Sequence, residues 1–393
     1  MKKKVIICGY TNFPRGSASA NYVQYLAQAF MDLDYDVVIV SNLNYEELNK
    51  NDNFYERYKN RIYLEDIVFN KNKIIKYLNF KTGLGKIFKK VLKKYSFSSE
   101  DIIISYSRDP FLNMELNKIA KKEGIKSGAC VVEWFPFSEF KYGYFDIEFW
   151  KEWINFNYIL TKYDFLFPIS TFIEKFFIKK GCQTLCLPIM SDPNEFEYNS
   201  KKFGEKLKFI YPANGKIKES INIVLDSFEQ LTYDELNRVE LHICGIKMDE
   251  IKNIAGEKLI NKIGTTLIVH KWMQYDELVE LYRDMHFLIL SRDTNQMTLA
   301  NFPSKVPEVM SHGVIPIVSK VGDYTKYYLT DDVDSIVFEY NNVDHCTASI
   351  KKAISYDITK LESLSSNARL TSEHKFSYKI WSKKIKEFIL SIG

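Results

Sequence analysis

At 393 residues, with 46% hydrophobic and 26% charged side chains, the chain has an ordinary globular composition. It is long enough for two compact units and unlike a disordered or fibrous protein. A formal net charge of +4 is too small for a nucleic-acid binder, no stretch approaches the roughly 20 apolar residues of a bilayer crossing, and six scattered cysteines read as reduced thiols of a cytoplasmic protein.

The first apolar run, Lys4 to Tyr10, follows three lysines; it is too short for a signal peptide and reads as a strand. A loop containing Gly16 and Ser17 leads to Tyr22, Val23, Leu26, Ala27 and Phe30 at helical spacing, then to a second strand from Asp36 to Ser41. Two near-continuous apolar strands joined through a helix predict a parallel sheet with helices on both faces. Further strands are expected at 101–105, 127–132 and 165–169, with a helix from Pro110 to Lys122 between the first two. The polar, basic stretch from Asn194 to Lys206 reads as a linker. The same alternation then restarts, with strands near 208–211, 239–245, 267–269, 286–290 and 314–318. Helices are expected at 221–231, 275–283 and 307–311, and an amphipathic helix from Tyr378 to Leu390 closes the chain. The domains expected are 1–193, 207–376 and a closing helix, 377–393, that crosses back to the first.

The most informative stretch runs from Arg292 to Gly313. It follows a buried strand, so it lies at the carboxyl edge of a parallel sheet, where open α/β folds place their ligands. Ser304 is expected to cap a helix that carries Pro307 in its first turn and ends at Gly313. The amides of Lys305 and Val306 and the Lys305 ammonium then form a diphosphate site. Glu308, about one turn further in, suits the two hydroxyls of a ribose. The alternative is a surface pair of Lys305 and Glu308. The sequence contains neither Gly-x-Gly-x-x-Gly nor Gly-Lys-Ser/Thr, which argues against dehydrogenases and P-loop enzymes.

With Phe13 to Ala18, Ile169-Ser170, Leu187-Pro188, Gly215 to Lys218, Ile243 to Gly245, Asn301 to Gly313 and Gly322-Asp323 in this order, the chain resembles the retaining GT-B glycosyltransferases of group 1, or family 4. The similarity extends to members that assemble bacterial polysaccharides. The resemblance implies two Rossmann-like domains with parallel sheets facing across a cleft. It also implies transfer of a sugar from a nucleoside diphosphate sugar to a hydroxyl of a sugar or lipid-linked glycan, without cofactor or metal. Glu308 matches the ribose-binding second glutamate of the family's Glu-x7-Glu motif, whereas the first is replaced by Ala300. Lys218 matches a diphosphate-binding lysine; its usual arginine partner is missing, which leaves Lys216 or Arg292 as substitutes. Gly16 and Ser17 match small residues that approach the donor phosphates, or else form an ordinary strand-to-helix turn.

Glu133, which ends a strand beside Trp134 and Phe135, is the candidate for orienting the acceptor hydroxyl or stabilising charge on the sugar. The alternative is a carboxylate held by loop amides. From Lys71 to Lys94 there are nine lysines and no acid. Within this stretch Lys86 to Tyr95 forms a basic amphipathic pattern that suits either an anionic membrane or the covering of the first sheet. The competing functions are a non-catalytic nucleotide-sugar-binding subunit and a nucleotide-sugar epimerase.

Overall fold

The computed structural model describes residues 2–14, 17–43, 61–66, 84–195, 197–212 and 218–392. Two compact units emerge, one of Met1–Met190 with Tyr378–Gly393, the other of Ser191–Ser377.

In the first unit β1 (Lys4–Phe13), β2 (Asp36–Leu43), β3 (Ile62–Asp66), β4 (Ile102–Tyr106), β5 (Lys126–Val131) and β6 (Phe165–Pro168) form one sheet in the order β3-β2-β1-β4-β5-β6. Every pairing is parallel. Ile6, Cys8, Val38, Val40 and Ile103 share one face of this sheet and pack under the helices Leu84–Lys94 and Pro110–Glu123, because alternate strand residues point the same way. The second of these helices shows its sequence signals in place. Asp109 accepts the amides of Phe111 and Leu112 at 2.8 and 3.1 Å, Pro110 fills the first turn, and Gly124 (φ 67°) ends the helix. The closing helix, Tyr378–Ser391, belongs to this unit. It packs on the helix Ala18–Asp32, with Ser382 bonded to Asp32 and the Phe388 ring against Phe165 and Phe167.

Residues 71–83 of the basic segment lie outside the described residues. Phe88, Val91 and Leu92 are buried against the sheet and Lys89, Lys90, Lys93 and Lys94 are exposed. The helix has therefore spent its apolar side on the core and offers only charge outward.

The second unit repeats the design. β7 (Leu207–Pro212), β8 (Val239–Cys244), β9 (Leu267–His270), β10 (Phe287–Leu290), β11 (Ile315–Ser319) and β12 (Ile336–Phe338) order as β12-β11-β10-β7-β8-β9, all parallel. Phe209, Tyr211, Leu241, Ile243, Phe287, Ile289, Ile315 and Ile317 line one face of its sheet, under residues of the helices Ile221–Glu229, Val343–Ser355 and Ile358–Thr371. In both sheets the strand order reverses between the first and fourth strands of the unit, β1 and β4 in one, β7 and β10 in the other. This is the doubly wound order whose switch point opens a crevice at the strands' carboxyl ends. Among the described residues, no helix is long and apolar enough to cross a membrane.

The stretch from Asn194 to Lys206, which composition reads as a linker, is bound to the second unit. The Arg369 guanidinium lies over the Tyr198 ring, Phe203 packs on His286, and the Lys201 ammonium is buried, donating to the carbonyls of Tyr282 and Arg283 at 2.7 and 2.6 Å. Those carbonyls end the helix Tyr275–Asp284 and need donors that water cannot supply there. Burial pushes the Lys201 pKa down to about 7, against the partial opposition of Asp284. The unfolded chain then binds more protons than the folded one between that value and the ordinary lysine range. Stability contributed through this group therefore rises with pH. Measured by urea unfolding, the stability of the natural protein relative to Lys201→Met is expected to climb from about pH 7 to pH 9, by up to about 1.4 kcal/mol per pH unit; a flat difference would place the ammonium in solvent.

Candidate functional site

At the switch point of the second unit, the loops after β7 and β10 are tied together. Ser220 N donates to Ser291 O at 2.8 Å, and Arg292 Nε donates to Lys218 O at 3.4 Å. The backbone of Arg292 is clamped in turn by Ser319 at the end of β11, through its amide and its carbonyl, each at 2.8 Å. The guanidinium is 1% exposed, and its Nη2 donates to Asn301 Oδ1 at 2.9 Å. Its Nη1 and the Tyr211 hydroxyl are buried without a hydrogen-bond partner among the described residues. Each such group costs about 1–3 kcal/mol in a folded protein, so the crevice holds polar capacity that the chain's own described groups do not use.

Lys305 opens the helix Lys305–Met310 and stands 4.0 Å from the Glu219 carboxylate, its side chain about a quarter exposed (26%). Burial lowers its pKa; Glu219 and Glu308 oppose the shift, while the positive charges of Arg292 and Lys218 add to it. One ammonium thus senses four charged groups from two loops and its own helix, which brings Lys218, Arg292, Lys305 and Glu308 into a single electrostatic cluster. Of these, only Arg292 is fully enclosed, so it acts as a fixed buried charge and as a tie between loops. Lys218, Glu219, Lys305 and Glu308 keep part of their surface in solvent.

Two features of the helix start differ from expectation. Ser304 already has helical angles (φ −59°, ψ −28°) and makes no side-chain capping bond, because capping needs an extended residue whose oxygen faces the next amides. The Val306 amide is not free either: it donates to Pro303 O at 3.2 Å, and the Val306 side chain is in the core. A helix of six residues has little dipole to offer in any case. Of the two amides expected to face a diphosphate, that of Val306 is thus already engaged within the turn. Gly313 is required where it stands, with φ 70° and a Cβ position 2.9 Å from Ser365 Oγ. Ala300 is fully buried.

Glu219 was not among the sequence candidates, although an acid next to Lys218 at the carboxyl edge of β7 is the signal that would have found it. Gly16 and Lys216 lie outside the described residues. Ser17 and Glu133 belong to the first unit. Ser17 caps the helix after β1, accepting from Ala20 N at 3.1 Å. Glu133, just past the end of β5, is 3.8 Å from Arg108 Nη1, and Arg108 also pairs with the buried Glu152. The loop amide of Phe135 is held by Glu152 at 2.9 Å. Trp134 stacks on Phe156, with ring centroids 5.0 Å apart.

Carboxylates spaced as Asp-x-Asp, which a hard divalent cation favours, occur as Asp32-Leu33-Asp34, Asp34-Tyr35-Asp36 and Asp332-Val333-Asp334. Each is used for local structure. Asp34 pairs with Lys2 and Arg61 at 3.2 Å, and Asp334 accepts from Thr330 N and Thr371 Oγ1 at 2.7 Å.

Residues 193–371 match the family model of the group 1 glycosyl transferases. No curated protein is similar enough in sequence to count as a relative. Among solved structures, the chain is similar to a sucrose-phosphate synthase from Thermosynechococcus elongatus, at 12% identity and a TM-score of 0.72 over 100% of this chain and 99% of that one. A glycosyltransferase from Rickettsia africae aligns at 15% identity and 0.71 over 100% and 98%. Anabaena HepE, solved in complex with UDP-glucose, aligns at 12% and 0.69 over 99% of both chains. At such identities the likeness is one of fold. The chain thus has the two-domain, Rossmann-like GT-B fold, and the match to the group 1 glycosyl transferase model falls within its second unit.

Proposed function

We propose that the protein transfers a glycosyl group from a nucleoside diphosphate sugar to a hydroxyl of a sugar or lipid-linked glycan, with retention at the anomeric carbon. The setting that suits this reading is cytoplasmic assembly of a cell-surface polysaccharide or glycoconjugate. The observation that carries it is the convergence of Lys218, Arg292 and Lys305 on the crevice between β7 and β10, with Glu308 one helical turn behind Lys305. In such a transfer the bond from the anomeric carbon to the diphosphate oxygen breaks, one to the acceptor oxygen forms, and the proton of the acceptor hydroxyl passes to the leaving diphosphate. The charge that develops on the leaving diphosphate is met by Lys218 and Lys305, with Arg292 fixed behind them. Preorganised charge of this kind is the largest single contribution in many enzymes, and it supports a metal-independent reaction. Glu308 accepts the ribose hydroxyls, and Glu133, oriented by Arg108, faces the acceptor.

The complexes of HepE with UDP and with UDP-glucose make uridine the first base to test. A thermal-shift comparison of UDP, GDP and ADP is expected to show one of them stabilising the protein by about 2.7 kcal/mol at a hundred times its Kd. No shift with any of the three would remove the nucleotide site. Ala300, in place of the family's first glutamate, favours a second reading, a binding subunit without turnover. Release of nucleoside diphosphate that depends on added acceptor excludes it, and product formed without acceptor points instead to an epimerase.

A further inference from the structure

The first unit carries a helix built inside out. In Ile147–Ile154 the acid Glu152 is buried against Arg108, whereas Ile147, Trp150 and Ile154 face solvent, and Tyr158 continues their stripe one turn on. A surface helix normally does the reverse. Just ahead of it Phe145 is 96% exposed, and Trp153 adds a second exposed indole. This cap is ordered by its own rings. Phe137 contacts Tyr144, Tyr144 contacts Phe149, and the chain of edge contacts runs through Trp150 and Trp153 to Tyr158 with centroids 4.4–5.6 Å apart. The Trp150 indole N–H is already satisfied by Tyr144 O at 2.7 Å. A preordered, outward-facing aromatic surface of this size in one segment marks a contact surface.

The neighbouring helices indicate what it contacts. The helix Leu84–Lys94 packs beside Pro110–Glu123, which packs beside the cap. Their outer sides expose Lys89, Lys90, Lys93, Lys118, Lys121 and Lys122, against the exposed Glu123 and the half-buried Glu115. The cap itself holds Lys141 and Lys151 against Glu139, Asp146 and Glu148, so the attraction comes from the lysine row and the apolar contact from the cap. Phe145, Ile147 and Ile154 have no polar atom with which to meet sugar hydroxyls, and a row of cations beside tryptophan and tyrosine is the pattern of residues that settle at a lipid interface.

We propose that this face docks the protein on an anionic lipid surface, with Phe145, Ile147 and Trp150 entering the headgroup boundary and the lysine row binding the phosphates. The proposal does not depend on the transfer chemistry. The full-length protein is tested by sedimentation with vesicles of phosphatidylcholine alone and with about one third phosphatidylglycerol. Tryptophan quenching by brominated lipid is read in parallel.

Binding is expected only to the anionic vesicles, weakened by salt and accompanied by quenching. The exposed double variant Phe145→Ser/Ile147→Ser should bind at least ~10-fold more weakly and lose the quenching, with its circular dichroism and melting temperature unchanged. Lys118→Gln/Lys121→Gln/Lys122→Gln should weaken binding while leaving residual quenching. No binding to either vesicle, or binding with neither quenching nor sensitivity to the cap variant, overturns the proposal. Concentration-dependent dimerisation, or retention on a soluble glycan, that the cap variant abolishes while vesicles are ignored would assign the face to a second copy or to a carbohydrate.

Discussion

Lys305→Ala is expected to lower kcat by ~10²–10³-fold, the loss seen when one preorganised charge-stabilising donor is removed from an active site, while the variant unfolds like the natural protein. The side chain begins a short helix and is partly exposed, so its loss opens no cavity in the core. The surrounding charges also predict how turnover depends on pH. Burial lowers the Lys305 pKa, and the carboxylates of Glu219 and Glu308 hold it up in part. Activity that needs the ammonium therefore falls on the alkaline side below the ordinary lysine range. Glu219→Gln, which removes one opposing carboxylate, moves that limb to lower pH. A pH profile of kcat on both variants checks the two statements together. Unchanged turnover in Lys305→Ala would take this residue out of the mechanism.

The frame of the molecule is legible in the sequence because buried parallel strands are written as apolar runs. Val37 to Val40, Ile102 to Ile104 and Phe287 to Leu290 each appear where expected. Strand order then follows from handedness and connection rules, and the switch point locates Lys218 and Arg292 without any side-chain information. What periodicity does not reveal is which of two sides an amphipathic element uses, and whether a polar residue has found a buried partner. Lys201 looks like linker composition and is a buried cap for a helix end. Ile147–Ile154 has an apolar stripe that pattern alone would turn inward, and the Arg108–Glu152 pair turns it outward. Ser304 has the right side chain for a cap but helical backbone angles.

Glu308→Gln separates binding from chemistry at the same site. An amide keeps the size of the side chain and one acceptor oxygen but loses the charge. Hydrogen bonds to charged groups contribute about 1.5–3 kcal/mol each, and the ribose hydroxyls do not change between ground and transition states. The loss therefore belongs to uniform binding, which raises KM more than it lowers kcat. We expect KM for the donor to rise ~10–100-fold, and the apparent affinity for the free nucleoside diphosphate to fall by the same factor in a calorimetric titration. A second effect has the opposite locus: Glu308 helps to keep Lys305 protonated, so kcat of the variant should decline at a lower pH than that of the natural protein. If the titration shows full nucleotide affinity and only the pH limb moves, Glu308 tunes the lysine and another residue holds the ribose.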